Sequence, residues 1–298
     1  MSRSPFFYVG DKYKLICQLK DYFPSEINRL IEPFCGGGSV FLNTKAKEYL
    51  ENDNNEWMIK LHKYLFGFKN KPESFFSKFD SLVKEYGLSA SYLGINVPGE
   101  LKKKYVKTHY AVFNKDAYRR ARDDFNKDQS NYLLLYLLLV YGFNHMIRFN
   151  SSGDFNLPVG NVDYNHNVVD ALRGYFNFAK ECQKMAFCAK DYKKFLSLVT
   201  FKDGDFVYLD PPYLISGSEY NKYWTEKEER ELLQTIDKLN EKGVKFALSN
   251  VLTHKGKTNG ILKEWSSKYK IHYLKSNYIS YYDNTIKKDT TEVLITNY

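Results

Sequence analysis

Residues 28–53, NRLIEPFCGGGSVFLNTKAKEYLEND, decide the fold of this chain. The apolar pair within residues 28–32 predicts a short buried strand, and residues 33–39 follow it as a glycine-rich turn. Residues 40–46 are predicted to begin a helix, and residues 49–52 to form a second strand that ends at an aspartate. A strand, a glycine turn, a helix, a strand and an acid are the opening of a nucleotide-binding α/β unit.

The glycine turn, residues 33–39, suits some nucleotide ligands and not others. A phosphate-binding P-loop needs a Lys-Ser or Lys-Thr pair after its glycines, which this sequence lacks. A dinucleotide site needs a third glycine where Phe41 or Leu42 stands. The remaining ligand is a nucleoside without a pyrophosphate, such as S-adenosylmethionine, whose ribose hydroxyls Asp53 is placed to bind. A tight turn that binds no ligand stays open as the alternative.

A second motif, Asp210-Pro211-Pro212-Tyr213, follows a predicted strand at residues 206–209. The strand delivers Asp210 to the carboxyl end of the sheet, where open α/β folds bind their ligands. The prolines bring no N–H groups and force extended geometry, so the Asp210 carboxylate and the Pro211 carbonyl both point outward as acceptors. Two adjacent acceptors suit a planar amino group, and Tyr213 offers a face on which a planar ring can lie.

This pair of acceptors predicts chemistry at the exocyclic amine of a base. The lone pair of such an amine is delocalised into the ring, and hydrogen bonds to both hydrogens favour a more tetrahedral nitrogen. A sulfonium methyl donor is already activated, so positioning and electrostatics carry most of the work. The alternative interpretation is a strand-terminating turn whose aspartate caps a helix.

The charge of the chain favours a polyanionic partner. Its 298 residues carry a formal net charge of +9, and the calculated isoelectric point is about 9.0. Residues 101–122 contain many lysines and arginines against the single acid Asp116. Phosphate contacts by such side chains give affinity without sequence information. Charge alone leaves open a protein that is basic and merely soluble.

The cysteines and the apolar runs predict a compartment. The four cysteines are scattered, with no C-x-x-C spacing, so neither a metal site nor a disulfide framework is expected (Cys17, Cys35, Cys182 and Cys188). The longest apolar run, residues 132–143, is too short to span a bilayer and predicts a buried helix. The first residues do not resemble a signal peptide. We therefore expect a cytoplasmic or nucleoid-associated protein without membrane contact.

The rest of the chain divides into an insertion and a returning α/β pattern. Residues 54–132 are rich in lysine and aromatic residues with helical spacing in places, and predict a mostly helical insertion. Within residues 142–167 the turn cluster at 151–154 predicts a hairpin or an extended loop pair. The elements predicted after it are a strand at 206–209, a helix opened by the capping box Thr225–Glu228 and closed by Gly243, a strand at 244–248, a helix at 261–266 and an antiparallel pair at 273–281 and 292–298.

Four motifs together resemble one enzyme family. They are Tyr8-Val9-Gly10-Asp11-Lys12, Glu32-Pro33-Phe34-Cys35-Gly36-Gly37-Gly38-Ser39, Asp53 and Asp210-Pro211-Pro212-Tyr213. In this order the chain resembles the Dam-type DNA adenine methyltransferases of the alpha group, and their bacteriophage branch in particular. The resemblance implies an α/β fold of the Rossmann-like class I SAM-dependent methyltransferase type. It implies a catalytic domain at residues 1–55 and 168–298 and a mostly helical target-recognition insertion with a β-hairpin at residues 56–167.

The resemblance also assigns residues to the catalytic and cofactor sites. Asp53 would bind the ribose of S-adenosylmethionine, and Asp191 and Tyr192 would flank its adenine. The catalytic residues it implies are Asp210, Pro211, Pro212 and Tyr213. The cofactor-binding residues it implies are Tyr8, Lys12, Phe34, Gly36, Gly38, Asp53, Asp191, Tyr192, Asp210 and Tyr220.

DNA recognition is assigned by the resemblance to the loop pair. Arg148 occupies the family position that reads a guanine, Phe143 the position that enters the base stack beside a flipped adenine, and Pro158 a position that touches recognised bases. The full set implied to bind DNA is Phe143, Asn144, Met146, Arg148, Asn150 and Pro158. Residues 160–163 lack basic residues that many relatives carry, and Asn144-His145 also departs from the family, so the outer base pairs of the site stay open.

The function predicted from the sequence is site-specific methylation of adenine N6 in duplex DNA, at GATC or a related short site. The donor would be S-adenosylmethionine and the partner double-stranded DNA, bound by a monomer or a weak dimer. A cognate restriction endonuclease is a further candidate partner. The alternatives are a methyltransferase acting on RNA or a protein amide, and a DNA-binding protein that keeps the scaffold without catalysis.

Overall fold

A computed structural model describes residues 1–216, 223–275 and 290–298. The chain divides into two compact units, which we call the helical unit and the sheet unit. The helical unit consists of residues 1–11, 36–42 and 55–182, and the sheet unit of residues 12–35, 43–54 and 183–298. The assignment of a catalytic domain and a target-recognition insertion stays a prediction about function that this division does not test.

The sheet unit is built on one mostly parallel sheet. Its strands are β1 (Arg29–Glu32), β2 (Glu48–Asn52), β3 (Lys184–Cys188), β4 (Asp205–Leu209), β5 (Lys245–His254), β6 (Lys257–Thr258), β7 (Lys270–Leu274) and β8 (Thr290–Thr296). Their order is β3-β2-β1-β4-β5-β8-β7, with β6 paired to β5. The first five strands of that order are parallel, whereas β8 runs antiparallel to both β5 and β7. This architecture confirms the predicted α/β fold of the class I methyltransferase type.

The helices of the sheet unit are α1 (Ile16–Lys20), α8 (Tyr192–Leu198), α9 (Glu226–Glu241) and α10 (Gly260–Ser266). Helix α9 buries Leu232, Leu233 and Ile236 against a core that includes Val207 and Leu248 of the central strands. Strand β4 is buried along its whole length, as expected of a parallel strand covered on both faces. The predicted capping box opens α9 as expected.

The sheet brings the predicted site residues to one edge. Because β1, β2 and β4 are parallel, their carboxyl ends lie at the same edge of the sheet. Strand β1 lies between β2 and β4, so the direction of strand order reverses between β1 and β4. Ligands of open α/β sheets bind outside the carboxyl ends at such a reversal. Asp53 follows β2 and Asp210 follows β4, so both stand at this edge.

The helical unit contains the residues predicted to be mostly helical, 54–132, apart from residue 54, and they are mostly helical in the structure. Its helices are α2 (Glu56–Phe66), α3 (Pro72–Tyr86), α4 (Gly99–Lys104), α5 (His109–Lys127), α6 (Tyr132–Tyr141) and α7 (His166–Glu181). The rings of Phe75, Phe79 and Tyr136 pack against one another within this unit. Helix α6 is the apolar run singled out in the sequence, and it is almost entirely buried. Within the described ranges, no helix combines the length and the apolar character needed to cross a bilayer.

Some local predictions need correction. The helix predicted at residues 40–46 is only a short 3₁₀ turn, Phe41–Asn43. Beyond it the Tyr49 hydroxyl donates to the Thr44 carbonyl and accepts from the Ala46 N–H, so backbone groups that a helix would use are bonded to a side chain. Strand β3 and helices α7 and α8 were not predicted from the sequence.

The predicted loop pair is present, without regular strands among the described residues. Its arms are joined by two isolated antiparallel bridges, Phe149 to Phe155 and Gly142 to Val159. The predicted strand at 273–281 is described only in part, as the end of β7, because residues 276–281 lie outside the described ranges.

Candidate functional site

Asp210 is the centre of a cluster in the sheet unit. Its Oδ2 atom lies 2.7 Å from the Nζ atom of Lys12, and its Oδ1 atom accepts a hydrogen bond of 3.0 Å from the Tyr213 hydroxyl. The Lys12 ammonium also lies 5.2 Å from the centre of the Tyr213 ring. Lys12 is buried, and the Asp210 side chain is 19% exposed. Three residues predicted from two separate motifs therefore meet around one carboxylate.

Glu292 adds a second carboxylate that sequence reasoning missed. It lies on β8, is fully buried, and its Oε1 atom is 3.4 Å from the Tyr213 hydroxyl. The hydroxyl carries one hydrogen, and its shorter contact is with Asp210. Tyr213 is therefore held between the acid that ends β4 and an acid of β8. The only sequence signal was an acid opening the apolar run of β8.

An aromatic cluster lies in the same unit. The ring of Phe34 is 5.1 Å from that of Tyr192 and 6.1 Å from that of Trp224. Burial raises the pKa of Tyr192 above its usual range, so its hydroxyl stays neutral. Asp191, predicted beside Tyr192 as a cofactor residue, caps helix α8 by accepting the backbone N–H groups of Lys193 and Lys194.

The buried carboxylate of Glu229 holds Trp224 of this cluster in place. Glu229 is fully buried and accepts hydrogen bonds from Trp224 Nε1 at 2.7 Å, Asn259 Nδ2 at 2.8 Å and Asn250 Nδ2 at 3.2 Å. Burial raises its pKa, although the three donors oppose the rise. The network ties the start of α9 to β5 and α10. Neither Trp224 nor Glu229 was singled out in the sequence, because a carboxylate in the first turn of a helix is ordinarily exposed.

Asn52, the residue before Asp53, forms hydrogen bonds to the segments that follow β1 and β3. The Asn52 amide donates to the carbonyls of Pro33 and Lys190, each at 2.9 Å, and its oxygen accepts the Lys190 N–H. Asp53 itself is half-buried. Burial and then the nearby Asp53 charge raise the pKa of the Cys35 thiol well above its usual range, so this cysteine stays protonated.

The glycines of the turn belong to the helical unit. Gly38 has φ +82°, and a Cβ atom there would lie 2.3 Å from the Phe41 ring, so only glycine fits. The Gly36 carbonyl lies 2.9 Å from Nε2 of His62, which must therefore carry the proton. Burial lowers the pKa of His62 to about 4, so the ring is neutral. A Cβ atom at Gly36 would lie 3.6 Å from the Tyr8 ring, an ordinary contact distance.

The predicted DNA-binding residues lie on the loop pair of the helical unit. Arg148 is exposed, and its guanidinium grips Asn156 on the opposite arm: Nε to Oδ1 at 2.9 Å and a terminal nitrogen to the carbonyl at 2.8 Å. Asn150 is bonded to Asp154 across the turn. Met146 is half-buried. The structure thus shows the predicted guanine-reading side chain engaged within its own loop.

The end of the loop pair away from the turn is exposed, whereas the part next to the turn is packed. Phe143 is 40% exposed, and its N–H donates to the Pro158 carbonyl at 2.9 Å. Asn144 beside it is exposed and has a left-handed φ of 52°. Next to the turn, the Phe149 ring stacks on Trp57 at 4.7 Å. The loop pair is therefore anchored by aromatic packing near its turn, while Phe143 and Asn144 at the other end are accessible. Tyr220, the remaining predicted site residue, lies outside the described ranges.

Comparison with known proteins adds independent findings. Residues 8–279 match the family described as D12 class N6 adenine-specific DNA methyltransferase. The chain is 35% identical to the modification methylase StsI of Streptococcus sanguinis and 33% identical to the type II methyltransferase M.FokI of Planomicrobium okeanokoites. Both matches cover 99% of this chain and 43% of the relative, so the chain spans less than half the length of these two proteins. It is 27% identical to the DNA adenine methylase of Escherichia coli (strain K12), over 90% of this chain and 85% of that protein.

Proposed function

This chain belongs to the D12 class N6 adenine-specific DNA methyltransferase family, and from that premise we propose that it methylates adenine N6 in duplex DNA. The donor is S-adenosylmethionine, and the target is GATC or a related short site. The protein acts on DNA in a bacterial or phage-infected cell, as a monomer or a weak dimer. A cognate restriction endonuclease is a further candidate partner.

The observation that carries this proposal is the set of contacts around Asp210. The carboxylate stands at the carboxyl edge of the sheet beside a strand-order reversal, where ligands of this fold class bind. Lys12 and Tyr213 hold it from two sides at 2.7 Å and 3.0 Å. Among the described residues, no hydrogen bond uses the adjacent Pro211 carbonyl. A fixed carboxylate and an available carbonyl side by side support an acceptor pair for an amino group.

The residues of the sheet unit fit a nucleoside-bearing donor. The aromatic rings of Phe34 and Tyr192 suit an adenine, and the Asp53 carboxylate at the end of β2 suits a ribose. We propose these three as cofactor-binding residues, with Asp191 beside them. The family resemblance adds Tyr8, Lys12, Gly36, Gly38 and Tyr220. When bound, S-adenosylmethionine supplies an electrophilic methyl group.

The chain's own residues position the target amine. Asp210 and the Pro211 carbonyl accept the two N–H groups, which turns the nitrogen lone pair out of the plane of the base. Tyr213 lies against the base, and the hydrogen bond that its hydroxyl donates to Asp210 keeps the carboxylate in a fixed position. The Lys12 ammonium holds the carboxylate in place at 2.7 Å, so that a carboxylate oxygen can accept a proton once the nitrogen carries the methyl group. The loop pair with Phe143 and Arg148 recognises the DNA.

Methyl transfer from labelled donor to duplex DNA tests this function. We expect Asp210→Ala to lower transfer by at least about a thousandfold while DNA binding stays near normal, because the amine loses its main acceptor. Asp203→Ala is the matched control, since Asp203 is exposed and precedes the opposite end of the same strand. Near-normal turnover in Asp210→Ala would overturn the mechanism, and transfer to RNA in preference to duplex DNA would overturn the substrate. Mapping modified adenines in a methylation-free host identifies the site.

A further inference from the structure

The turn of the β5–β6 hairpin holds a lysine in a strained backbone conformation. Thr253 pairs with Thr258 and His254 with Lys257, so Lys255 and Gly256 form a two-residue turn. Both have positive φ, 48° and 75°, as in the type I′ turns that close such hairpins. The first turn position favours Asn, Asp or Gly, and a lysine there is strained. Strained residues of this kind cluster at functional sites, where the surrounding structure maintains them.

The hairpin stands at the same edge of the sheet as Asp210. Leu209, at the end of β4, pairs with Leu248 of β5. Strand β5 continues beyond that pair to His254, which carries the hairpin about 20 Å further along the strand direction. Its base is fixed to β8, because Thr253 and His254 make 2.8 Å side-chain hydrogen bonds to β8 threonines. The turn therefore projects beyond the end of β4 at which Asp210 lies, and β8 supports its base.

The turn also carries two exposed positive charges. Lys255 and Lys257 are exposed, and neither forms an ion pair among the described residues. By contrast, Lys184 of the same unit is paired with Glu48. The pKa of His254 is lowered by burial and then by the two lysine charges, so the ring adds no charge of its own near neutrality. Two exposed ammonium groups, neither in an ion pair with a described residue, suit a phosphate diester.

We propose that Lys255 and Lys257 bind backbone phosphates of the DNA that enters the site, which rests on the proposed function. The contact comes from the sheet unit and is separate from the loop pair that carries the predicted base contacts. It supplies affinity without sequence information, because an ammonium group attracts every phosphate alike. The strained lysine is retained because an asparagine or glycine, although better for the turn, would remove a charge.

Salt-dependent DNA binding tests the proposal with matched double variants. Lys255→Asn/Lys257→Ala removes two charges at one end of β5, and Lys242→Ala/Lys245→Ala removes two at its other end, from exposed residues. Anisotropy of labelled duplexes with and without the methylation site gives affinity against salt. For the hairpin variant we expect the magnitude of the slope of log K against log salt to fall by about 1.8, because two phosphate contacts are lost. At 0.1 M salt this corresponds to a loss of affinity on the order of tens of fold for both duplexes. A slope equal to that of the control variant would overturn the proposal.

Thermal unfolding separates charge from structure. Lys255→Asn alone is expected to keep or raise Tm, because Asn favours the turn, while DNA affinity falls. A lower Tm would make Lys255 a structural residue and overturn the proposal. If the wild type methylates DNA and the hairpin variant binds like the control, only this inference fails. If the wild type transfers no methyl group but the hairpin variant shows the expected slope, the proposed function fails and the phosphate contact stands.

Discussion

The two predicted sites are held in different ways. Around Asp210, the side chains that the proposed chemistry uses already touch: Lys12 and Tyr213 both bind the carboxylate. On the loop pair, Arg148 binds Asn156 of its own loop through two hydrogen bonds. A positioning site gains from being rigid before the substrate arrives. A base-reading arginine can keep an internal partner and exchange it for guanine, whose O6 and N7 atoms present a similar pair of acceptors.

Breaking the Lys12–Asp210 pair is the largest expected effect. Lys12→Met should lower the free energy of unfolding by about 3–5 kcal/mol, because it leaves a mostly buried carboxylate without its cation. Methyl transfer should fall as well, since Asp210 loses its fixed position. Chemical denaturation measures the first effect and initial rates the second.

Two further variants make that test specific. Lys12→Met/Asp210→Asn should recover part of the lost stability, because the uncompensated charge is gone. Lys268→Met is the control, since the Lys268–Asp237 pair is more exposed and should be worth less than about 1 kcal/mol. Equal losses of unfolding free energy in Lys12→Met and Lys268→Met would show that burial does not determine how much the Lys12–Asp210 pair contributes to stability.

His62 sharpens the comparison, because the glycine turn is also held before any ligand binds. Burial lowers its pKa from 6.5 to about 4. The unfolded chain therefore binds the proton more tightly, and the stabilising effect is full above pH 6.5 and lost as pH falls from 6.5 towards 4. The difference corresponds to about 3 kcal/mol. His62→Gln, which keeps an N–H donor for Gly36, should remove this part of the pH dependence, as measured by denaturation at each pH.

The matched control is His166→Gln, at an exposed position on α7. It should leave the pH profile of unfolding as in the wild type. A His62→Gln profile that still falls between pH 6.5 and 4 like the wild type would assign the loss to other groups.

On the loop pair the expected effects are smaller and specific to sequence. Arg148→Ala should cost about 1–3 kcal/mol of discrimination at one G·C pair, because a guanidinium contacts both O6 and N7 of guanine. Competition binding with duplexes substituted at each base pair measures it. Equal weakening on every duplex would instead make Arg148 a phosphate contact.

Sequence could predict those parts of the fold and site that rest on local pattern. The strands before Asp53 and Asp210, the capping box of α9 and the buried α6 all follow from short-range periodicity and turn chemistry. Strand β3 was missed because, as an edge strand with alternating exposure, it lacks a long apolar run.

The unpredicted site residues have a different cause. Glu229 and Glu292 are carboxylates buried by contacts between elements distant in sequence, and a carboxylate in isolation predicts exposure. The engagement of Arg148 by Asn156 is likewise invisible in the sequence, because it depends on how two loop arms face each other. Patterns of one residue type cannot reveal such pairings.

Asn156→Ala gives the smallest and most informative effect. It removes the Oδ1 acceptor and leaves the backbone carbonyl, so Arg148 keeps one of its two internal bonds. A single exposed hydrogen bond contributes about 0.5–1.5 kcal/mol, so stability should change by less than about 1 kcal/mol. If Arg148 exchanges this partner for guanine, affinity for the cognate duplex should rise about two- to fivefold, because less is lost on binding. A fall in cognate affinity would mean that Asn156 holds Arg148 in its reading orientation. In that case the loop pair would be positioned in advance, just as Asp210 is.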